Sequence, residues 1–138
     1  MSTTTTTDPT PTTRGTNAEL LARYQRAWSE GDVEGIVSMM TDDGVYEASF
    51  GPDPWGERFV GPDAIRAGIL RNRAASSHRD STHEYVETHL FGDIAVARWE
   101  STWTDADGSP GAVHGMDLFE FRNGRVARKI AYRKGRAG

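Results

Sequence analysis

The dipeptide Asn123-Gly124 constrains this chain more than any other pair of residues. It separates two runs of alternating hydrophobicity, and Asn-Gly between two such runs specifies a tight hairpin with positive φ at both central residues. In the first arm, AVHGMDLFEFR, the residues Val113, Gly115, Asp117, Phe119 and Phe121 fall on one side of a strand. Val126, Arg128, Ile130 and Tyr132 continue on the returning strand. Asp117 is the anomaly. It shares the apolar side, where a lone carboxylate is costly unless it is neutral or hydrogen-bonded. Either it has a structural partner, or it faces a cavity and does chemistry there.

The remainder of the chain reads as helices followed by strands. Residues 1–16 are Thr/Pro-rich and nearly devoid of bulky apolar side chains, so a disordered tail is expected there. A single domain over 17–138 follows, with Asn17 as N-cap of a helix bearing Leu20, Leu21, Tyr24, Ala27 and Trp28 at helical spacing. Gly31 ends that helix, and Asp32 caps a shorter one carrying Val33, Ile36, Val37 and Met40. VYEASF (45–50) reads as a strand, GPDPWGERFVG (51–61) as a loop and a short strand, and Pro62 opens a third helix. From about Arg79 onward the pattern alternates through four long antiparallel strands, with turns at Gly92-Asp93, at Asp105 to Gly111 and at Asn123-Gly124. The fold class is therefore α+β, three helices wrapped by a curved sheet.

Composition removes several functions. With 138 residues there is room for one domain, and a net charge of −4 without a clustered basic face argues against nucleic acid. The absence of cysteine excludes disulfides and thiolate chemistry, and no apolar run is long enough to span a membrane, so a cytoplasmic protein is the expectation. His78, His83, His89 and His114 show no metal-ligand spacing, and the glycines sit singly in turns rather than in a phosphate loop. Neither a metal nor a nucleotide is expected.

RYQRAWSEGDVEGIVSMMTDDGVYE (23–47), GPDAIR (61–66) and HGMDLFEFRNGRV (114–126) together resemble the nuclear-transport-factor-two-like superfamily, and within it the SnoaL-like polyketide cyclases and the ketosteroid isomerases. The resemblance implies a cone-shaped α+β fold that hosts isomerases, cyclases, hydrolases and non-catalytic proteins. Ketosteroid isomerases use a tyrosine and a protonated aspartic acid as an oxyanion hole, with a carboxylate base. By resemblance the tyrosine matches Tyr24 and the acid Asp117. The base has no counterpart, because Ala48 stands at its position and Glu47 points to the opposite face. Limonene-type epoxide hydrolases use Arg-x-Asp with a second aspartate; Arg98-Trp99-Glu100 approximates the first part, but Ala131 replaces the second.

The expected catalytic set is Asp117 and Tyr24 as polarising donors, Glu100 as acid/base if it faces inward, and His114 if a bulge turns it inward. Trp28, Phe50, Trp55, Phe59, Arg98, Phe119 and Tyr132 are expected to line an apolar substrate cavity. Trp99 and Trp103 are expected on the outer face of the sheet, where the resemblance implies a homodimer. The expected function is a cofactor-independent cyclase or isomerase acting on a hydrophobic, carbonyl-containing intermediate such as a polyketide. Ring closure could be pericyclic, with no proton moved. The alternatives are a steroid isomerase with a displaced base, an epoxide hydrolase, and a binding module without catalysis.

Overall fold

A computed structural model describes residues 16–135. Of the segment expected to be a tail, only Thr16 lies among them. The order of elements is α1 (Asn17–Glu30), α2 (Val33–Ser38), β1 (Met40–Asp53), β2 (Gly56–Val60), α3 (Pro62–Ala75), β3 (Arg79–Phe91), β4 (Ile94–Thr104), β5 (Pro110–Arg122) and β6 (Arg125–Arg133). Thr16, not Asn17, caps α1: its hydroxyl accepts from the Glu19 amide while the Glu19 carboxylate accepts from the Thr16 amide, a reciprocal capping box. Asn17 instead donates its side-chain amide to the Gly92 carbonyl and ties the helix start to the β3–β4 turn.

One six-stranded sheet carries the order β2-β1-β6-β5-β4-β3. β3 through β6 form the antiparallel meander expected from the turns, and Asn123 and Gly124 take positive φ of 53° and 75° in the last of them. β1 is far longer than the six residues of VYEASF, and it pairs with β6 in parallel. Alternation reveals which side of a strand is buried but not which distant strand lies beside it, so that junction had no local signal. No helix among the described residues is long and apolar enough to cross a membrane.

The helices fill the concave side of the sheet. Leu20, Leu21, Tyr24 and Ala27 of α1 meet Ala95, Ala97, Phe119 and Phe121, and α3 lays Gly68 over Phe59, where any side chain would collide with the ring. Phe119 is fully buried, edge-on to Tyr24 at 6.0 Å and tilted against Tyr85 at 6.1 Å. Its truncation to alanine would remove about 3–5 kcal/mol.

Two β-bulges decide which side chains enter this interior. Glu120 pairs with Arg128 and Phe121 with Val126, so Ala127 is an extra residue that reverses the parity of β6. Past the bulge, Lys129 and Ala131 face inward opposite Phe119 and Asp117, and Tyr132 turns outward, 59% exposed. The second bulge, at Val86, lets Tyr85 and Thr88 of β3 both face the helices, and Thr88 there accepts from Gln25 of α1.

Candidate active site

Asp117 is fully buried and already has three partners. The Tyr85 hydroxyl donates to its Oδ2 at 2.5 Å, Trp99 Nε1 donates to its Oδ1 at 2.9 Å, and Lys129 Nζ lies 3.4 Å from Oδ2. An acceptor bound on both oxygens by an ammonium, a phenol and an indole is placed as a carboxylate, not as a neutral acid with a proton to give. The Lys129 ammonium, 3% exposed, is closed in by rings: its Nζ is 3.6 Å from the centre of a Trp28 ring and 5.0 Å from that of Tyr46. Burial drives the Lys129 proton off more readily than usual, and Asp117 only partly opposes this. Burial also raises the phenols of Tyr24, Tyr46 and Tyr85 above the ordinary tyrosine range, so all three hold their protons.

Tyr24 does not join this group. It is fully buried and donates to Met40 Sδ at 3.4 Å, while Tyr85, from the other wall of the cone, takes the place expected for it at Asp117. The register between β4 and β5 settles the rest. Ala97 sits opposite Asp117 and Trp99 opposite Gly115, so the residues of β4 that face inward are Ala95, Ala97, Trp99, Ser101 and Trp103. Glu100 therefore pairs with His114 on the convex face, the two side chains 3.7 Å apart, and no bulge interrupts this pair of strands to turn His114 inward. Arg98 lies on the same outer face, bonded to Glu87. The expectations of an inward Glu100 and of outward Trp99 and Trp103 are both reversed, and among the described residues no arginine–carboxylate pair of hydrolase type assembles inside the cone.

Glycines make room for the tryptophans. A Cβ on Gly115 would fall 2.0 Å from the Trp99 ring, and one on Gly111 would fall 2.1 Å from Trp103 Nε1. Each indole lies across the glycine opposite it on the neighbouring strand. The repeat Trp99, Trp103 mirrored by Gly111, Gly115 about the intervening turn is a signal in the sequence that could have assigned this face.

At the open end of the cone lies a cavity of about 550 Å³, walled by Trp28, His83, Trp99, Ser101 and Trp103, with Arg73 and Arg133 at its rim. The buried charge pair sits directly behind this wall, in contact with both Trp28 and Trp99. Of the seven side chains expected to line a substrate cavity, Trp28 is the one found here. Phe59 and Phe119 are core, Arg98 and Tyr132 are on the convex face, and Phe50 and Trp55 are exposed near the β1–β2 turn. Trp55 there stacks under the Arg58 guanidinium, which also bonds the buried Glu47. Lys129 on β6 and Tyr85 and His83 on β3 escape a count by two because bulges at Ala127 and Val86 interrupt their strands, whereas Trp99 and Ser101 lie on an unbroken strand whose parity was taken one residue out of step.

The model of the SnoaL-like domain family matches residues 21–129, and the chain belongs to that family. No curated protein matches it. Among solved structures, a candidate polyketide cyclase from Sinorhizobium meliloti is 25% identical, with a TM-score of 0.63 over 82% of this chain and 93% of that one. A nuclear-transport-factor-two-like protein of unknown function from Mesorhizobium loti is 26% identical, with a TM-score of 0.65 over 86% and 90%. A protein of ketosteroid-isomerase-like fold from Catenulispora acidiphila, in complex with trimethylamine, is 18% identical, with a TM-score of 0.67 over 85% and 86%.

Proposed function

We propose that this SnoaL-like protein is a cofactor-independent cyclase or isomerase acting on a hydrophobic, carbonyl-containing small molecule of polyketide type, held in the cavity at the mouth of the cone. The observation that carries the reading is the Lys129–Asp117 pair, buried in an aromatic cage immediately behind the cavity wall. A buried ion pair is a poor way to stabilise a fold, since apolar residues of the same volume do as well or better. A charge pair fixed behind a substrate wall is instead suited to opposing charge that develops on a substrate oxygen.

The interior favours a reaction in which the wall removes no proton. Ala48 is buried where a steroid isomerase has its base, and Asp117 is already bound on both oxygens. Three indoles at the mouth would hold a flexible substrate folded, and proximity would supply much of the rate. Ring closure, including a pericyclic one, fits this better than double-bond migration. The convex face, with Met116 42% and Tyr132 59% exposed, is assigned to a second copy of the chain.

Incubation with polyketide and ketosteroid substrates tests the reading, beside Lys129→Met and Asp117→Asn. Turnover that falls in both variants supports it, and unchanged turnover removes the pair from the mechanism. The engagement of Asp117 on both oxygens favours a second reading, a binding module whose charge pair only braces the wall. Tight binding without conversion in the wild type would select that one.

A further inference from the structure

Two arginines at the rim of the cavity carry charges that no acid answers. Arg58, Arg66, Arg71, Arg98, Arg122 and Arg128 each stand within ion-pair distance of a carboxylate. Among the described residues Arg73 and Arg133 have no such partner, and both line the cavity at the mouth of the cone. Glu30 is the one carboxylate in the same lining, and it forms an ion pair with neither. In a chain with a net charge of −4, cations left without acids at the edge of a tryptophan-walled hollow call for an explanation.

Each arginine is placed by its own element. Past the bulge at Ala127, Lys129, Ala131 and Arg133 alternate onto the concave side of β6. Arg133 pairs with Gly115, which in turn pairs with Trp99, and the indole lies over that glycine. Arg133 therefore stands in one row with Trp99 across the sheet, on the face the cavity occupies. Arg73, in the last turn of α3, donates from a terminal nitrogen to the Gly31 carbonyl at 3.1 Å. Gly31, in the left-handed cap of α1, is itself part of the lining. That bond fixes where the guanidinium sits and occupies one of its five N–H donors, leaving the others for a ligand. Both arginines are exposed, so a ligand in the cavity reaches them without any opening of the interior.

A planar fork of donors beside a stacking wall matches a carboxylate joined to an apolar ring system. The apolar wall also lowers the dielectric around the charges and strengthens their attraction for an anion. Resting on the reading of this cavity as the substrate site, we infer that its ligand is a free aromatic or polycyclic carboxylic acid in its ionised form. The ring system lies against Trp28, Trp99 and Trp103, and the carboxylate is held by Arg73 and Arg133. A neutral ester or ketone of the same shape fills the hollow but leaves both guanidinium groups to water. The two arginines thus tell acid from ester, and the reaction that supplies the substrate is of a class that releases a free acid, such as hydrolysis of an ester or thioester.

The experiment uses the whole protein and two probes of similar shape, 2-naphthoate and 2-acetylnaphthalene, which differ in the charge of the group on the ring. At neutral pH and low salt the carboxylate should bind about tenfold more tightly than the ketone, and the ratio should shrink as salt is added. Its binding should shift the indole N–H signals of Trp99 and Trp103. Arg73→Gln and Arg133→Gln should each weaken naphthoate by about threefold and leave acetylnaphthalene unchanged. Arg23→Gln removes the same charge from an arginine outside the lining and should change neither probe. Equal affinities for the two probes overturn the inference but leave the cavity standing as a substrate site. So does a loss of naphthoate in Arg23→Gln as large as in the other two variants, or a shift confined to the exposed Trp55. If neither probe binds, both the cavity reading and the assignment of its ligand fall.

Discussion

Lys129 rests its ammonium against the face of Trp28, 3.6 Å from the ring centre, and Trp28 also lines the cavity at the mouth of the cone. One residue thus touches both the most deeply buried cation of the described residues and the space a ligand would occupy. Asp117, Trp28 and Tyr46 together surround the charge as a host surrounds an ammonium guest.

Removing the cation alone should be expensive. Lys129→Met leaves the Asp117 carboxylate buried without its counter-charge and should lower stability by about 3–5 kcal/mol. Lys129→Met combined with Asp117→Leu removes both charges and should recover most of that loss. Urea unfolding of the two variants checks this; equal losses would mean that the pair is not coupled.

Gly115 should tolerate no side chain. Its Cβ would lie 2.0 Å from Trp99, so Gly115→Ala must displace the indole and break its bond to Asp117. A loss of about 1–3 kcal/mol is expected from the overpacking, with a change in tryptophan fluorescence. Trp99→Phe in the same chain should relieve the clash, and a double-mutant cycle measures the coupling.

Acid should weaken the fold through His83. Its folded value, about 4, lies below the ordinary 6.5. Between those values the unfolded chain binds a proton that the folded chain does not. The contribution is therefore present above about pH 6.5 and lost as the pH falls toward 4. His83→Gln should flatten the stability profile in that window, as measured by denaturant midpoints across pH.

The convex face should be self-associating. Met116 and Tyr132 lie there among the charged residues Arg98, Glu100 and His114. Tyr132→Glu with Met116→Glu should shift sedimentation toward a monomer while leaving the helix and strand content unchanged. A wild-type protein that sediments as a monomer at high concentration would overturn the assignment.

What could be read from the residues, and what could not, divides at the bulges. The Asn123-Gly124 turn, the inward Asp117 and the α1 stripe of Leu20, Leu21, Tyr24 and Ala27 are local patterns of period two or 3.6, and the structure follows them. Lys129 was hidden because Ala127 adds one residue to its strand, so a position on the polar parity of β6 became the centre of the interior. Glu100 was misplaced by a single step of register, which moves every side chain of a strand to the opposite face. The mirrored tryptophans and glycines would have corrected that step. Tyr85 lies on a strand whose exposed edge carries so much polarity that its one buried phenol does not stand out.

The place of β6 in the sheet also bears on how the molecule is made. It is the last of the described strands, yet it lies between β1 and β5 and joins the early hairpin to the late meander. On the ribosome, everything up to residue 124 can therefore form only two unconnected pieces of sheet, with the concave surface of each still wet. The keystone arrives with Arg125–Arg133, bringing the counter-ion of Asp117 in the same stretch. Chains cut short before it would present two bare strand edges at once, which is the form of a nascent protein most in need of a chaperone.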